Sequence, residues 1–134
     1  MIDKIILSGI WVSDQDQSID FFVNKLGFKL QNDIVIPSGY RWVEVIPPGG
    51  ETGVALAKPY HGQEKSIGGF TNLIFSTEDI EKTFRDLKSK GVKFLEKPTK
   101  QEWGMYQAIF IDNDLNEFLL VQRDSQFFKN SINL

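Results

Sequence analysis

The 134-residue chain has no cysteine. That absence removes disulfides, thiolate nucleophiles and zinc–thiolate sites together. Histidine occurs once, as His61 beside Tyr60, in a stretch of weak patterning. An isolated loop histidine is more often an exposed side chain than a ligand or catalyst. Long apolar runs are also missing. Residues 1–13 carry no apolar core of a signal peptide, and no segment approaches membrane-spanning length. Basic excess is absent too: 15 Lys and Arg stand against 18 Asp and Glu, a net charge of −3 with both signs interspersed. Without a basic run or an Arg/aromatic ladder, nucleic acid is not an expected partner. A soluble protein of a reducing, cytoplasmic setting is expected, and the lack of cysteine is compatible with that setting. What is present is ordinary for a globular chain: 41% hydrophobic and 25% charged residues. This length suffices for one domain with a real core.

The chain reads as one unit written twice. A strand–helix–strands pattern ends its helix at Gly27, and the pattern recurs 64 residues later with a helix ending at Gly91. The same offset carries Trp42 onto Tyr106 and Ala55 onto Leu119. In the first copy, residues 5–12 alternate as a strand, with Ile6, Ser8, Ile10 and Val12 on one face and Leu7, Gly9 and Trp11 on the other. Both faces are expected to be largely covered. Asp14 and Gln17 have capping-box spacing, and Ile19, Phe22, Val23 and Leu26 form the expected inward stripe of the helix. Strands are predicted over 28–36, 41–46 and 52–57, separated by Pro37-Ser38-Gly39 and Pro47-Pro48-Gly49-Gly50. Residues 58–69 read as a linker. The second copy predicts strands over 70–75, 92–95, 106–111 and 117–122. Its helix is expected to be capped by Ser76 or Thr77 and to turn Ile80, Phe84 and Leu87 inward. A tail follows Arg123, with Phe127 and Phe128 free to dock. The predicted division is module one 4–57, linker 58–69, module two 70–123 and tail 124–134.

Val12-Ser13-Asp14, Ser18-Ile19-Asp20-Phe21-Phe22 and Leu26-Gly27-Phe28 together resemble the opening of vicinal-oxygen-chelate proteins. This superfamily includes glyoxalase I, extradiol dioxygenases, methylmalonyl-CoA epimerase, fosfomycin-resistance enzymes and bleomycin-binding proteins. Arg41-Trp42-Val43-Glu44-Val45 with Pro47-Pro48-Gly49-Gly50-Glu51-Thr52 resembles a glyoxalase-like branch. In the second copy, Asp79-Ile80-Glu81, Leu87 to Val92 and Asp112 to Leu120 follow the same pattern. The resemblance covers roughly residues 4 to 123. It implies an α+β fold, two tandem βαβββ modules around a cavity, and a homodimer. It says far less about chemistry, since one fold hosts many reactions.

Enzymes of the superfamily place histidine or glutamate ligands on inward faces of four strands. The resemblance puts those positions at Leu7, Ala55, Asn72 and Leu119. None is a histidine or carboxylate, and an amide alone is a poor ligand for a transition metal. A slip of one residue on any strand brings in no strong ligand either. The chain is therefore expected to lack the metal site, and no cofactor is predicted. The Asp112–Asn116 turn has leucine at 115 where relatives carry glycine. Leucine disfavours positive φ, so a different backbone path is expected there.

Other candidates follow from residue type and strand parity. Gly9 leaves room beside Trp11. Trp42, Trp103 and Tyr106 are candidate cavity walls, able either to stack a flat ligand or to plug the space themselves. Arg41 could clamp an anionic group or serve in an exposed salt bridge. Glu44 and Glu117 are candidate general bases if burial or a neighbour tunes them. Alternation leaves open which face of its strand Glu44 occupies. The leading expectation is a metal-free protein that binds a small apolar or aromatic molecule. The alternative is a lyase, isomerase or dioxygenase with a relocated divalent metal or metal-independent acid–base chemistry.

Overall fold

The computed structural model describes residues 1–122, so the tail with Phe127 and Phe128 lies outside the described residues. The fold is α+β, built of two βαβββ modules. The first contains β1 (Leu7–Trp11), α1 (Gln15–Asp20) continued by a π-helical turn (Phe21–Lys25), β2 (Lys29–Val35), β3 (Arg41–Ile46) and β4 (Gly53–Ala57). The second contains β5 (Gly69–Thr77), α2 (Ile80–Ser89), β6 (Lys93–Lys100), β7 (Tyr106–Ile111) and β8 (Asn116–Gln122). Each makes a four-stranded sheet of the same topology, β1-β4-β3-β2 and β5-β8-β7-β6. In the first sheet β1 and β4 run parallel and the other neighbours antiparallel. No helix among the described residues is long and apolar enough to cross a membrane.

The chain divides into two compact units, one of Met1–Thr71 with Asp112–Glu117, the other of Asn72–Ile111 with the strand from Phe118 onward. Side chains explain why a turn late in the sequence belongs to the first unit. Ser13 N–H donates to Asp114 Oδ2 at 3.0 Å, and its hydroxyl donates to the other oxygen. Asn116 Nδ2 donates to the Trp11 carbonyl at 3.0 Å, while Gly68 N–H donates to Asn116 Oδ1 at 2.9 Å.

Local chemistry starts and stops the helices. Asp14 has extended backbone and accepts the Gln17 N–H at 2.9 Å, the N-cap bond that satisfies an orphan donor of the first turn. The π-helical turn comes from Leu26 N–H reaching the Phe21 carbonyl, five residues back. Gln15, Ser18, Phe21 and Phe22 are buried, whereas Ile19, Val23 and Leu26 of the expected stripe are only partly covered. Phe21 and Phe22 lie with Ile10, Val12, Val43, Val45, Val54 and Leu56 in the first unit's core. In the second unit Phe110 and Phe118 pack at 5.3 Å between ring centroids, with Phe75 5.6 Å from Phe118 and Phe84 4.7 Å from Phe94.

Several expectations are corrected. β1 begins at Leu7, and Ile5 and Ile6 are exposed, so its face is covered only from Ile10 onward. The cap of α2 is Asp79, which accepts the Lys82 N–H at 3.1 Å; Ser76 and Thr77 remain in β5, where strand pairing outcompetes capping. β6 extends to Lys100 through two irregular steps in its pairing with β7. β2 makes one such step against β3, so the additional step in β6 breaks the 64-residue offset at β7. Tyr106 has the strand parity of the buried Ala108 and Phe110, so Gln107, not Tyr106, occupies the face that Trp42 occupies in the first copy. Leu115 takes positive φ, 62°, despite its side chain. The turn is held by Asp112 Oδ1, which accepts N–H bonds from Asp114 and Asn116, both at 2.9 Å.

Candidate functional site

Register places the candidate side chains of the first unit. Across β1 and β4, Leu7 pairs with Gly53, Gly9 with Ala55 and Trp11 with Ala57. Ala55 also pairs with Glu44 on β3, and Glu44 in turn with Asn32 on β2. Cross-strand partners share a face, and successive residues alternate. One face of the sheet therefore carries Val43, Val45, Val54, Leu56, Ile10 and Val12, all deeply buried. The other carries a floor of Gly53, Ala55 and Ala57 along β4. Leu7, Gly9 and Trp11 flank it on one side, and Trp42, Glu44 and Ile46 on the other. A floor of small residues between large ones makes a trough. A cavity of about 270 Å³ is lined by Leu7, Gly9, Trp42, Ala55 and Ala57, joined by Tyr40 and Arg41. A second space of about 160 Å³ shares Gly9 and is lined by Trp11, Phe70 and Asn116.

The two glycines of this face differ in kind. A Cβ on Gly53 would stand 3.0 Å from the Val45 carbonyl and 3.2 Å from Leu7, a tight fit in which the neighbours would have to give by a few tenths of an ångström. A Cβ on Gly9 would meet nothing closer than 4.0 Å, from Ala55. Gly9 has no positive φ either. A strand glycine costs stability through chain entropy, and at Gly9 neither backbone nor packing demands it. Its lack of a side chain adds room to the cavities it lines.

Glu44, whose facing the alternation left open, lies on the trough side and is 9% exposed. Its carboxylate accepts from Asn32 Nδ2 at 3.1 Å and from Trp42 Nε1. Arg41 is committed elsewhere. Its Nε and Nη2 donate to the two oxygens of Asp33, each at 2.8 Å, and its Nη1 donates to Asp16 at 2.9 Å. The Arg41 hydrogen bonds and charge hold the Asp33 carboxyl below its ordinary range, and both aspartates raise the guanidinium further. Arg41 thus ties β2 and β3 to α1 while its body borders the cavity. Gln15 Nε2 reinforces that corner by donating to the Arg41 and Leu56 carbonyls at 3.0 and 2.9 Å.

The remaining candidates fall elsewhere. Asn72, Trp103, Tyr106 and Leu119 belong to the second unit. Asn72 has φ of 63° within β5, Trp103 lies exposed in the β6–β7 hairpin, and Tyr106 is at the start of β7. Glu117 shares the partly covered face of β8 with Leu119, and its carbonyl accepts from Thr71 Oγ1 at 2.8 Å. His61 is fully exposed, 3.9 Å from Glu64. Asp112 has its carboxyl pushed up by burial, with the Asn116 side chain and two backbone N–H groups opposing that shift. It organises the turn. Asn32, Ala57 and Tyr40 were not among the expected site residues; the small-residue alternation Gly53, Ala55, Ala57 was the available signal for one of them.

The resemblance implies metal positions at Leu7, Ala55, Asn72 and Leu119, of which Asn72 alone carries a donor, an amide. Leu7, Ala55 and Leu119 offer no donor atom, and among the described residues no three His, Cys, Asp or Glu side chains cluster as ligands would.

Comparison with known proteins gives a consistent picture. The family model described as Glyoxalase/Bleomycin resistance protein/Dioxygenase superfamily matches residues 2–120. YetH, an uncharacterized protein of Bacillus subtilis, is 34% identical over 120 residues, covering 90% of this chain and 98% of that protein. A solved superfamily member from Sphaerobacter thermophilus is 36% identical with a TM-score of 0.86, covering 91% of this chain and 98% of its own. TnmS3, an antibiotic binding protein from Streptomyces sp., is 31% identical with a TM-score of 0.77, covering 92% of this chain and 98% of its own.

Proposed function

Because the chain belongs to the glyoxalase/bleomycin resistance protein/dioxygenase superfamily, whose fold by itself names no reaction, we propose its function from its own side chains. It binds a small, largely apolar or aromatic molecule in the trough of the first sheet, without metal or other cofactor. The observation that carries this reading is Gly9, a strand glycine lining the cavity, where a Cβ would make only ordinary contact with Ala55 at 4.0 Å and the backbone does not require glycine. The trough's carbon-rich lining and its few polar groups suit such a ligand. The likeness to TnmS3, an antibiotic binding protein, supports the same class of function.

A homodimer in a cytoplasmic setting belongs to this reading. A cavity of about 270 Å³ is at the small end for a ligand site, and Trp11 and Ile34 on the trough face stay 37% and 53% exposed. A second copy laid over that face would enclose both. Light scattering at micromolar concentration checks the dimer.

The binding reading is tested by titrating the protein with neutral planar aromatics such as acridine, following tryptophan quenching and calorimetric heat. Saturable one-site binding that weakens at least tenfold in Trp42→Ala, with the fold intact by circular dichroism, is expected. Trp11→Ala should weaken it as well. Failure of a broad panel of such compounds to bind the wild type would remove the proposal.

A further inference from the structure

We propose that the ligand carries a cationic, hydrogen-bond-donating nitrogen and that Glu44 receives it. This rests on reading the trough as the binding site and adds the charge class of what enters it.

Glu44 has cavity-lining neighbours on two sides, Trp42 along its own strand and Ala55 across to β4. In the row that crosses the sheet through Gly9, Ala55, Glu44 and Asn32, it supplies the formal charge. A carboxylate has about four lone-pair sites. Asn32 Nδ2 uses one on Oε1 and Trp42 Nε1 one on Oε2, and both are neutral donors. Capacity remains on both oxygens.

No cation answers this charge among the described residues. The Arg41 guanidinium is spent on Asp33 and Asp16. Lys29 shares the face, opposite Ile46 on β3, yet it forms no ion pair with Glu44. A nearly buried carboxylate without a counterion is costly, and removing it from water strengthens its attraction to any cation that arrives. Two neutral donors stabilise its orientation without neutralising it. Trp42 adds to the preference, because an indole beside the same cavity attracts a cation through its ring. Asn32 and Trp42 are positioning residues here; Glu44 makes the contact.

The experiment compares three probes of one ring system at pH 7.5: 9-aminoacridine (a cation), acridine (neutral) and acridine-9-carboxylate (an anion). Each is titrated into the full-length wild type, Glu44→Gln and Glu81→Gln, the last an exposed α2 residue that changes net charge equally. The wild type is expected to bind the cation at least tenfold more tightly than acridine, and the anion more weakly than either. Glu44→Gln should weaken the cation selectively and bring cation and neutral probe within about threefold, and Glu81→Gln should behave as wild type. Equal affinity for all three probes in the wild type, or a cation preference that survives in Glu44→Gln, overturns the inference and leaves the trough as a neutral-ligand site. If none of the three probes binds the wild type, the trough reading fails first. Should Glu44→Gln lose its fold, the wild-type ranking decides alone: cation over neutral over anion supports the assignment, and any other order overturns it.

Discussion

Replacing Gly9 with valine is expected to move stability and binding in opposite directions. A strand glycine costs about 0.5–1 kcal/mol relative to alanine through the freedom it has in the unfolded chain, and β-branching adds strand preference. Nothing in the folded state opposes the change at Cβ, where the closest approach is 4.0 Å to Ala55. A gain of about 1 kcal/mol should raise Tm by roughly 2–5 °C for a chain of this size. The new methyl groups stand at the residue that lines both cavities, between Leu7 and Trp11 on one strand. Loss of contact with a planar ligand should weaken acridine binding at least tenfold, about 1.4 kcal/mol. Differential scanning calorimetry and fluorescence titration read the two effects on the same sample. A lower Tm would mean that glycine is required for packing after all. A higher Tm with unchanged affinity would mean that the trough is not where the ligand goes. Either result refutes the reasoning, because it depends on Gly9 being kept for space.

Three further outcomes are expected. Leu115→Gly should raise stability to urea by about 0.5–1 kcal/mol, because leucine holds φ of 62° while its side chain is 65% exposed and contributes little packing; a loss would show that Leu115 is anchored by its side chain. Asp112 binds its proton more tightly folded than unfolded, so its contribution to stability falls as pH rises from about 3.8 through the raised folded value. The stability advantage of wild type over Asp112→Asn, read from urea curves between pH 3 and 7, should therefore shrink with rising pH, and a growing advantage would contradict the assignment. Asp33 has the opposite sign: its carboxyl is held low by Arg41, so the pair's stabilisation is present above about pH 3.8 and is lost as pH falls through the lowered value. Asp33→Asn should cost under about 1 kcal/mol at pH 7 and nothing once the wild-type carboxyl is protonated.

Much of the architecture was legible in the chain because it depends on local chemistry. β3 and β7 have the bounds their alternation predicts, Asp14 caps the first helix, and Gly27 and Gly91 end both helical segments with positive φ of 79° and 88°. Local patterns were misread where a longer-range contact decided. The first helix buries Gln15, whose amide donates to carbonyls of β3 and β4, while Ile19 stays only partly covered, and β5 runs on to Thr77, so the second cap falls on Asp79. The one step by which β6 exceeds β2 shifted the repeat at β7 by one residue, which gave Tyr106 the parity of the buried Ala108 and Phe110. In a strand one residue of slip exchanges the two faces, so an offset counted along the sequence cannot place a side chain.

The candidate site divides in the same way. The sequence by itself determined the donor chemistry: no cysteine and one histidine in a loop. It also determined that β4 would alternate Gly53, Ala55 and Ala57 with bulky Val54 and Leu56, because alternation is a property of the extended chain. Only tertiary structure decided which of two faces Glu44 occupies, that Asn32 and Trp42 would hold its carboxylate, and that Asp33 and Asp16 would take Arg41 out of play. Those outcomes depend on register between strands and on which charges meet across β2, β3 and α1. Pairing energies of residues far apart in sequence set them, and no window of neighbouring residues contains that information.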